Sequence, residues 1–252
     1  INTIDQRIIT VEEPIEYEMA GINQISVRSD IGLTFATSLR HILRQDPDVI
    51  MIGEIRDFET AEIAIRASLT GHLVFSTLHT NDAAGAITRL LDMGVEPFLV
   101  ASSLEAVVAQ RLVRRLCSAC RKPAHIDHNY LSQIAFPVEL MSRNTASQPA
   151  PETGDKSLPP MIKRIADVKM IYDAVGCEKC RSTGYTGRTG IYEVLEIIEP
   201  IEAKIIERAS SHAIKQIAVS NKMQTLRDDG FLKVLDGLTT LEEVIQASEE
   251  TD

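Results

Sequence analysis

Asp48-Val-Ile-Met-Ile-Gly-Glu54 decides how this chain reads: four apolar residues run into a glycine and then a carboxylate. So short and apolar a run is a strand covered on both faces. Its acid is delivered to the carboxyl edge of a parallel sheet, where open α/β sheets bind ligands. Two further stretches have the same character. Residues 7–12 lead into Glu13-Pro-Ile-Glu16-Tyr17, and residues 73–78 lead into His79-Thr80-Asn81-Asp82. With 49–53 these make three strands, and if the strands are neighbours, Glu16, Glu54, His79 and Thr80 converge on one pocket. Carboxylates that orient Mg²⁺ or an attacking water, beside a histidine that senses a terminal phosphate, suit a metal-phosphate substrate. His72, just before the third strand, reads as a hydrogen-bonded framework residue.

The segments between the strands are helical. Leu33, Ala36, Leu39, Ile42 and Leu43 recur at helical spacing and stop at Asp46-Pro47, because proline disfavours helix in the residue before it. A second helix is predicted over 58–69, ending at Gly71, a third ends near Gly94, and a fourth enters at Pro97 and runs to about residue 116. Strands alternating with helices define an α/β chain with a parallel sheet.

The 252 residues suffice for one large domain or two small ones. Twenty-six basic against 36 acidic residues leave a net charge of −10, which disfavours nucleic acid and anionic lipid as partners. No apolar run reaches the roughly 18 residues of a membrane-spanning helix. The opening Ile1-Asn2-Thr3-Ile4-Asp5 has neither the basic nor the apolar region of a secretory signal, and with four cysteines in two close pairs a reducing, cytoplasmic compartment is expected.

Cys117-Ser-Ala-Cys120 and Cys177-Glu-Lys-Cys180 are two CxxC knuckles, each able to give two thiolates to one tetrahedral Zn²⁺. A thioredoxin-type redox pair would leave the other pair unexplained. Between them, residues 144–160 hold four of the ten prolines and read as a flexible insertion. His125 and His128 remain alternatives to one of the cysteine ligands. Beyond Cys180, residues 181–188 are turn-like and 191–195 form a strand. From Glu202 the pattern is helical, with Ser210 or Ser211 as N-cap, Gly237 as a stop, and Thr240 and Glu243 at capping-box spacing before a last helix.

RIITVEEPIEYE, the stretch from LRHILRQDPDVIMIGEIRD to GHLVFSTLHTNDAAGAITRLLDMG, the CxxC pairs and GYTGRTGIYEVLE together resemble the secretion ATPases of the type II/type IV pilus superfamily, and within it the type II secretion branch. The resemblance covers nearly the whole chain outside the insertion. It implies a RecA-like P-loop ATPase core over 1–116, a zinc subdomain over 117–180, and a return strand with a C-terminal helical subdomain over 181–252. Carried over by position, Glu54 is the catalytic glutamate, Glu16 an acid that helps place Mg²⁺ or water, and His79 the contact to the γ-phosphate. Glu12, Glu13, His72, Thr80, Arg40 and Arg44 are implied around the nucleotide, the two arginines one helical turn apart and reaching a neighbouring subunit's ATP. Glu13 stands where the family usually has aspartate.

The resemblance also implies ATP, Mg²⁺ and Zn²⁺ as cofactors. It implies a homohexamer docked peripherally on inner-membrane platform proteins, powering export through pseudopilus assembly. A type IV pilus assembly ATPase is the second reading and a non-catalytic zinc-bearing assembly module the third. No GxxxxGK[ST] occurs, so the chain is expected to begin after that loop and to be unable to hydrolyse ATP alone.

Overall fold

The computed structural model describes residues 1–124, 136 and 171–248. The proline-rich stretch 144–160, His125 and His128 lie outside them. The chain divides into two compact units, Ile1–Val107 with Leu195–Ser220, and Val108–Val194 with Asn221–Asp252.

The first unit is built on a parallel sheet. β1 (Ile8–Glu12) lies between β2 (Ile22–Ser26) and β3 (Val49–Ile52), and β4 (Leu73–Ser76) is at the edge. Ile8 is level with both Ile22 and Val49, and Val49 with Leu73. All the strands therefore end on one edge, from which the segments after β1, β3 and β4 leave together. β1 is buried throughout and β3 nearly so, as two-sided cover requires. β4, at the sheet edge, is different: Leu73 and Phe75, two residues apart on one face, are exposed. β2, which the sequence reading did not contain, carries three polar residues, Asn23, Gln24 and Ser26, and only half-buried isoleucines.

Helix α1 (Phe35–Ile42) buries Phe35, Leu39 and Ile42 in one core with Ile9 and Val11 of β1, Ile50 and Ile52 of β3, and Ala64 and Ala67 of α2 (Phe58–Leu69). Thr34 caps α1 by accepting from Thr37 N, and Asp57 caps α2 by accepting from Thr60 N at 2.8 Å. α1 passes into a 3₁₀ turn, and the chain then takes a left-handed residue at Asp46 before Pro47. α3 (Ala83–Asp92) and α4 (Pro97–Ser103) follow, and α5 (Glu199–Ile206) and α6 (Ser211–Ser220) complete the unit.

The helix expected from Pro97 to about residue 116 ends at Ser103, and Ala106–Leu116 is strand β5. Apolar residues on both parities there, Val107, Val108, Leu112 and Val113, imitate a helical face. Pairing with β8 (Tyr185–Glu196) overrides that local pattern, and Val107, Ala109, Arg111 and Val113 turn inward at alternate positions. β8 extends six residues earlier than the strand read from 191–195. The second unit adds an antiparallel pair, β6 (Lys122–Pro123) with β7 (Tyr172–Asp173), and helices α7 (Leu226–Leu235) and α8 (Leu241–Ser248). Its core joins Phe231, Val234 and Leu235 of α7 to Leu241 and Val244 of α8, with Phe136 and Ile171.

Candidate active site and cysteine centre

Gly53 closes β3 and lets the next residue stand at the sheet edge. Its N–H donates to Val11 O at 2.8 Å, and a Cβ there would meet Val11 O at 3.2 Å and Glu12 Cα at 3.4 Å. The backbone after Gly53 is then tied to the segment after β4: Thr77 Oγ1 donates to Gly53 O at 2.6 Å, and Ile55 N to Thr77 O at 3.0 Å. This brings Glu54 and His79 together, His79 Nε2 lying 2.9 Å from Glu54 Oε2. The other oxygen of Glu54 is held by Arg56, whose second guanidinium nitrogen donates to Glu13 Oε2 at 3.0 Å. Glu54 is 13% exposed and the His79 side chain 87%, so the acid is sheltered and the imidazole faces outward.

The Arg56 guanidinium beside Glu54 holds its carboxyl below the usual carboxylate range; burial works against this and the His79 contact adds to it. Glu54 is therefore an anion at neutral pH, suited to accept a proton or hold a cation and unable to act as a general acid.

The remaining sequence candidates divide. Glu13 joins the Glu54 group through Arg56. Glu12 is buried at the end of β1, where Thr10 Oγ1 and Gln24 Nε2 donate to its Oε1, the latter at 2.9 Å. Glu16 is exposed on the loop after β1, outside these bonds. Thr80 donates to Asp82 O at 3.1 Å in the turn that starts α3. Arg40 pairs with Glu59 at the start of α2, and Arg44 is exposed on the turn after α1.

His72 precedes β4 and so lies at the opposite, amino edge of the sheet. Its Nδ1 is 2.9 Å from Ala67 O, which requires the Nδ1–H tautomer, and the structure does not bring it to Glu54. Arg56 and Gln24 were not among the sequence candidates. Arg56 adjoins the acid in sequence, but nothing marks its pairing with Glu13, 43 residues away. Gln24 fixes the loop after β1 by donating to Tyr17 O at 3.0 Å and accepting from Met19 N at 2.7 Å.

In the second unit the four cysteine sulfurs lie within 4.8 Å of one another. Cys117 and Cys177 are 4.0 Å apart, and Cys120 and Cys180 3.8 Å. Four thiolates at about 2.3 Å from one tetrahedral zinc would stand about 3.8 Å apart, so the set fits the ion. Burial pushes the Cys180 thiol up, yet N–H groups of Cys177 and Gly184, donating at 3.1 and 3.2 Å, outweigh it and bring it down to about 6. Burial raises Cys120 to about 11.

A match to the family described as type II/IV secretion system protein covers residues 1–246. The type IV pilus assembly ATPase PilB of Myxococcus xanthus is 48% identical over 97% of this chain and 39% of its own length. Type II secretion system protein E of Aeromonas hydrophila is 48% identical over 99% of this chain and 44% of its own. The chain thus spans about two fifths of the length of these relatives. Among solved structures, the pilus retraction motor PilT with bound ADP has a TM-score of 0.62 at 28% identity, covering 98% of this chain and 53% of that one. The Legionella pneumophila ATPase DotB, at 20% identity and a TM-score of 0.61 over 98% of this chain and 53% of its own, shares the fold.

Proposed function

The chain belongs to the type II/IV secretion system protein family, and on that premise we propose that it carries the catalytic acid and a zinc-bearing module of an ATPase that powers type II secretion. The observation that carries this is the Glu54 carboxyl at the sheet edge, sheltered between Arg56 and His79. Phosphoryl transfer to water asks a protein for positioning and charge placement. Glu54 is placed to take the proton of an attacking water, and the imidazole of His79, at the exposed rim, to reach the γ-phosphate. Glu13, Glu16 and Glu54 offer the hard oxygens that Mg²⁺ takes, and Mg²⁺ when bound would neutralise developing phosphate charge. These 252 residues hold no GxxxxGK[ST], so the amide cradle for the β- and γ-phosphates is not among the groups assigned here.

We assign the ATPase chemistry to a RecA-like core over 1–116 and zinc to Cys117, Cys120, Cys177 and Cys180 in 117–180, with 181–252 as a return strand and a C-terminal helical subdomain. Homohexameric assembly on an inner-membrane platform, in the cytoplasm, belongs to the same proposal and rests on family membership. Among the described residues no helix is long and apolar enough to cross a membrane. The equal identity to PilB favours type IV pilus assembly as the second reading. Complementation separates the two, restoring export in a strain lacking the secretion ATPase or pili in one lacking the assembly ATPase.

Steady-state ATP hydrolysis by the full-length protein tests the chemistry. Glu54→Gln is expected to bind nucleotide and lose turnover by about two orders of magnitude or more. Near-normal turnover would remove Glu54 from the mechanism, whereas no Mg²⁺-dependent turnover in the parent itself would leave the non-catalytic assembly module as the better account.

A further inference from the structure

Arg56 joins two acids that the chain keeps far apart. Its guanidinium donates through one terminal nitrogen to Glu13, just past β1, and through the other to Glu54, just past β3. A planar guanidinium fork serves two carboxylates at once, which the single ammonium of a lysine does less well. Without that cation the acids would face each other as like charges at the edge of the site.

We propose that Arg56 is a positioning residue for the chemistry of Glu54: it ties the Glu13 and Glu54 carboxylates into one pair across two strand ends and leaves the second Glu54 oxygen free to meet His79. The proposal rests on the catalytic role assigned to Glu54 and goes beyond it by naming what orients the acid.

Two observations separate this role from a structural one. The backbone around Glu54 is already fixed by bonds in which Arg56 has no part, from Gly53 N to Val11 O, Thr77 Oγ1 to Gly53 O and Ile55 N to Thr77 O. Arg56 is also 59% exposed, and exposed ion pairs contribute about 0–1 kcal/mol to stability. Its removal is therefore expected to leave the fold standing and to free the two carboxylates. The division of Glu54's oxygens, one to Arg56 and one to His79, is what would be lost. Glu54 would then sample rotamers in which its basic oxygen does not face the nucleotide.

The test is ATP hydrolysis by the full-length protein carrying Arg56→Ala, Arg56→Lys or Glu54→Gln, with and without millimolar guanidinium ion. The expected result is that Arg56→Ala loses kcat by about tenfold or more while KM for MgATP moves less than about threefold. Arg56→Lys should recover part of the loss. Guanidinium ion should raise kcat in Arg56→Ala but not in Glu54→Gln. If Glu54→Gln is inactive while Arg56→Ala keeps its kcat, or if neither lysine nor guanidinium ion restores the lost kcat, the role of Arg56 is overturned and that of Glu54 stands. If Glu54→Gln turns over normally, both fall together.

Discussion

Glu243 shows how one side chain can serve an interaction other than the one its sequence position suggests. The spacing to Thr240 marks a capping box, and half of it forms, with Glu243 N donating to Thr240 Oγ1 at 3.4 Å. The carboxylate goes instead to Arg114, accepting from its backbone N at 2.9 Å and from Nε and a terminal nitrogen of the guanidinium at 3.0 and 2.6 Å. Those Arg114 bonds hold the Glu243 carboxyl below its ordinary range, against the effect of burial. The folded value is depressed, so the stabilisation is complete above the ordinary carboxylate range and is lost as pH falls through it. Urea unfolding should accordingly find Glu243→Gln less stable than the parent at pH 7, the gap closing towards pH 3. A gap independent of pH would show that Glu243 acts through packing alone. At the same scale, the sequence shows which acids end the strands but not which cation pairs them. Glu54 and His79 were legible because each follows an apolar run, whereas Arg56 acquires its partner Glu13 only through the strand order.

Elements were legible where their period was unambiguous. α2 was read at its observed bounds, since Asp57 caps it and Gly71 follows its end. β5 was not, because its apolar residues occupy both parities and only the pairing with β8 selects the extended form. β2 was missed for a related reason, its solvent-facing positions being polar and its others only half-buried. The packing of α7 on α8 offers a sharper test of how elements fit. Gly230 lies in the middle of α7, where glycine costs about 1 kcal/mol relative to alanine. A Cβ at this position would run into the side chain of Val244 on α8. Gly230→Ala should therefore destabilise the second unit, the overpacking of about 1–3 kcal/mol outweighing the gain in helix propensity. Thermal unfolding would register a lower Tm; an unchanged or higher Tm would mean that Val244 yields without cost.

At the scale of the whole molecule, the parallel sheet and its acid-bearing carboxyl edge were readable because β1 and β3 are buried on both faces and announce themselves as apolar runs. The cysteine centre was readable from two CxxC pairs, but that the four sulfurs meet within 4.8 Å is a product of the fold. We expect one Zn²⁺ per chain by elemental analysis, lost together with Cys117→Ser or Cys180→Ser. Because the metal requires thiolates, its affinity should fall as pH is lowered. Removal by a strong chelator should lower the Tm of the second unit, and retention of both Tm and fold after complete removal would contradict a structural zinc. The central claim concerns Glu54, and single-turnover hydrolysis of prebound, γ-labelled ATP by full-length parent and Glu54→Gln protein tests it most directly, since binding and product release are separated from the chemical step. The expected result is equal occupancy by ATP in the two proteins with the rate of γ-phosphate formation slowed by about two orders of magnitude or more in the variant. Equal rates of phosphate formation at equal occupancy would contradict the assignment of Glu54 as the acid that activates water.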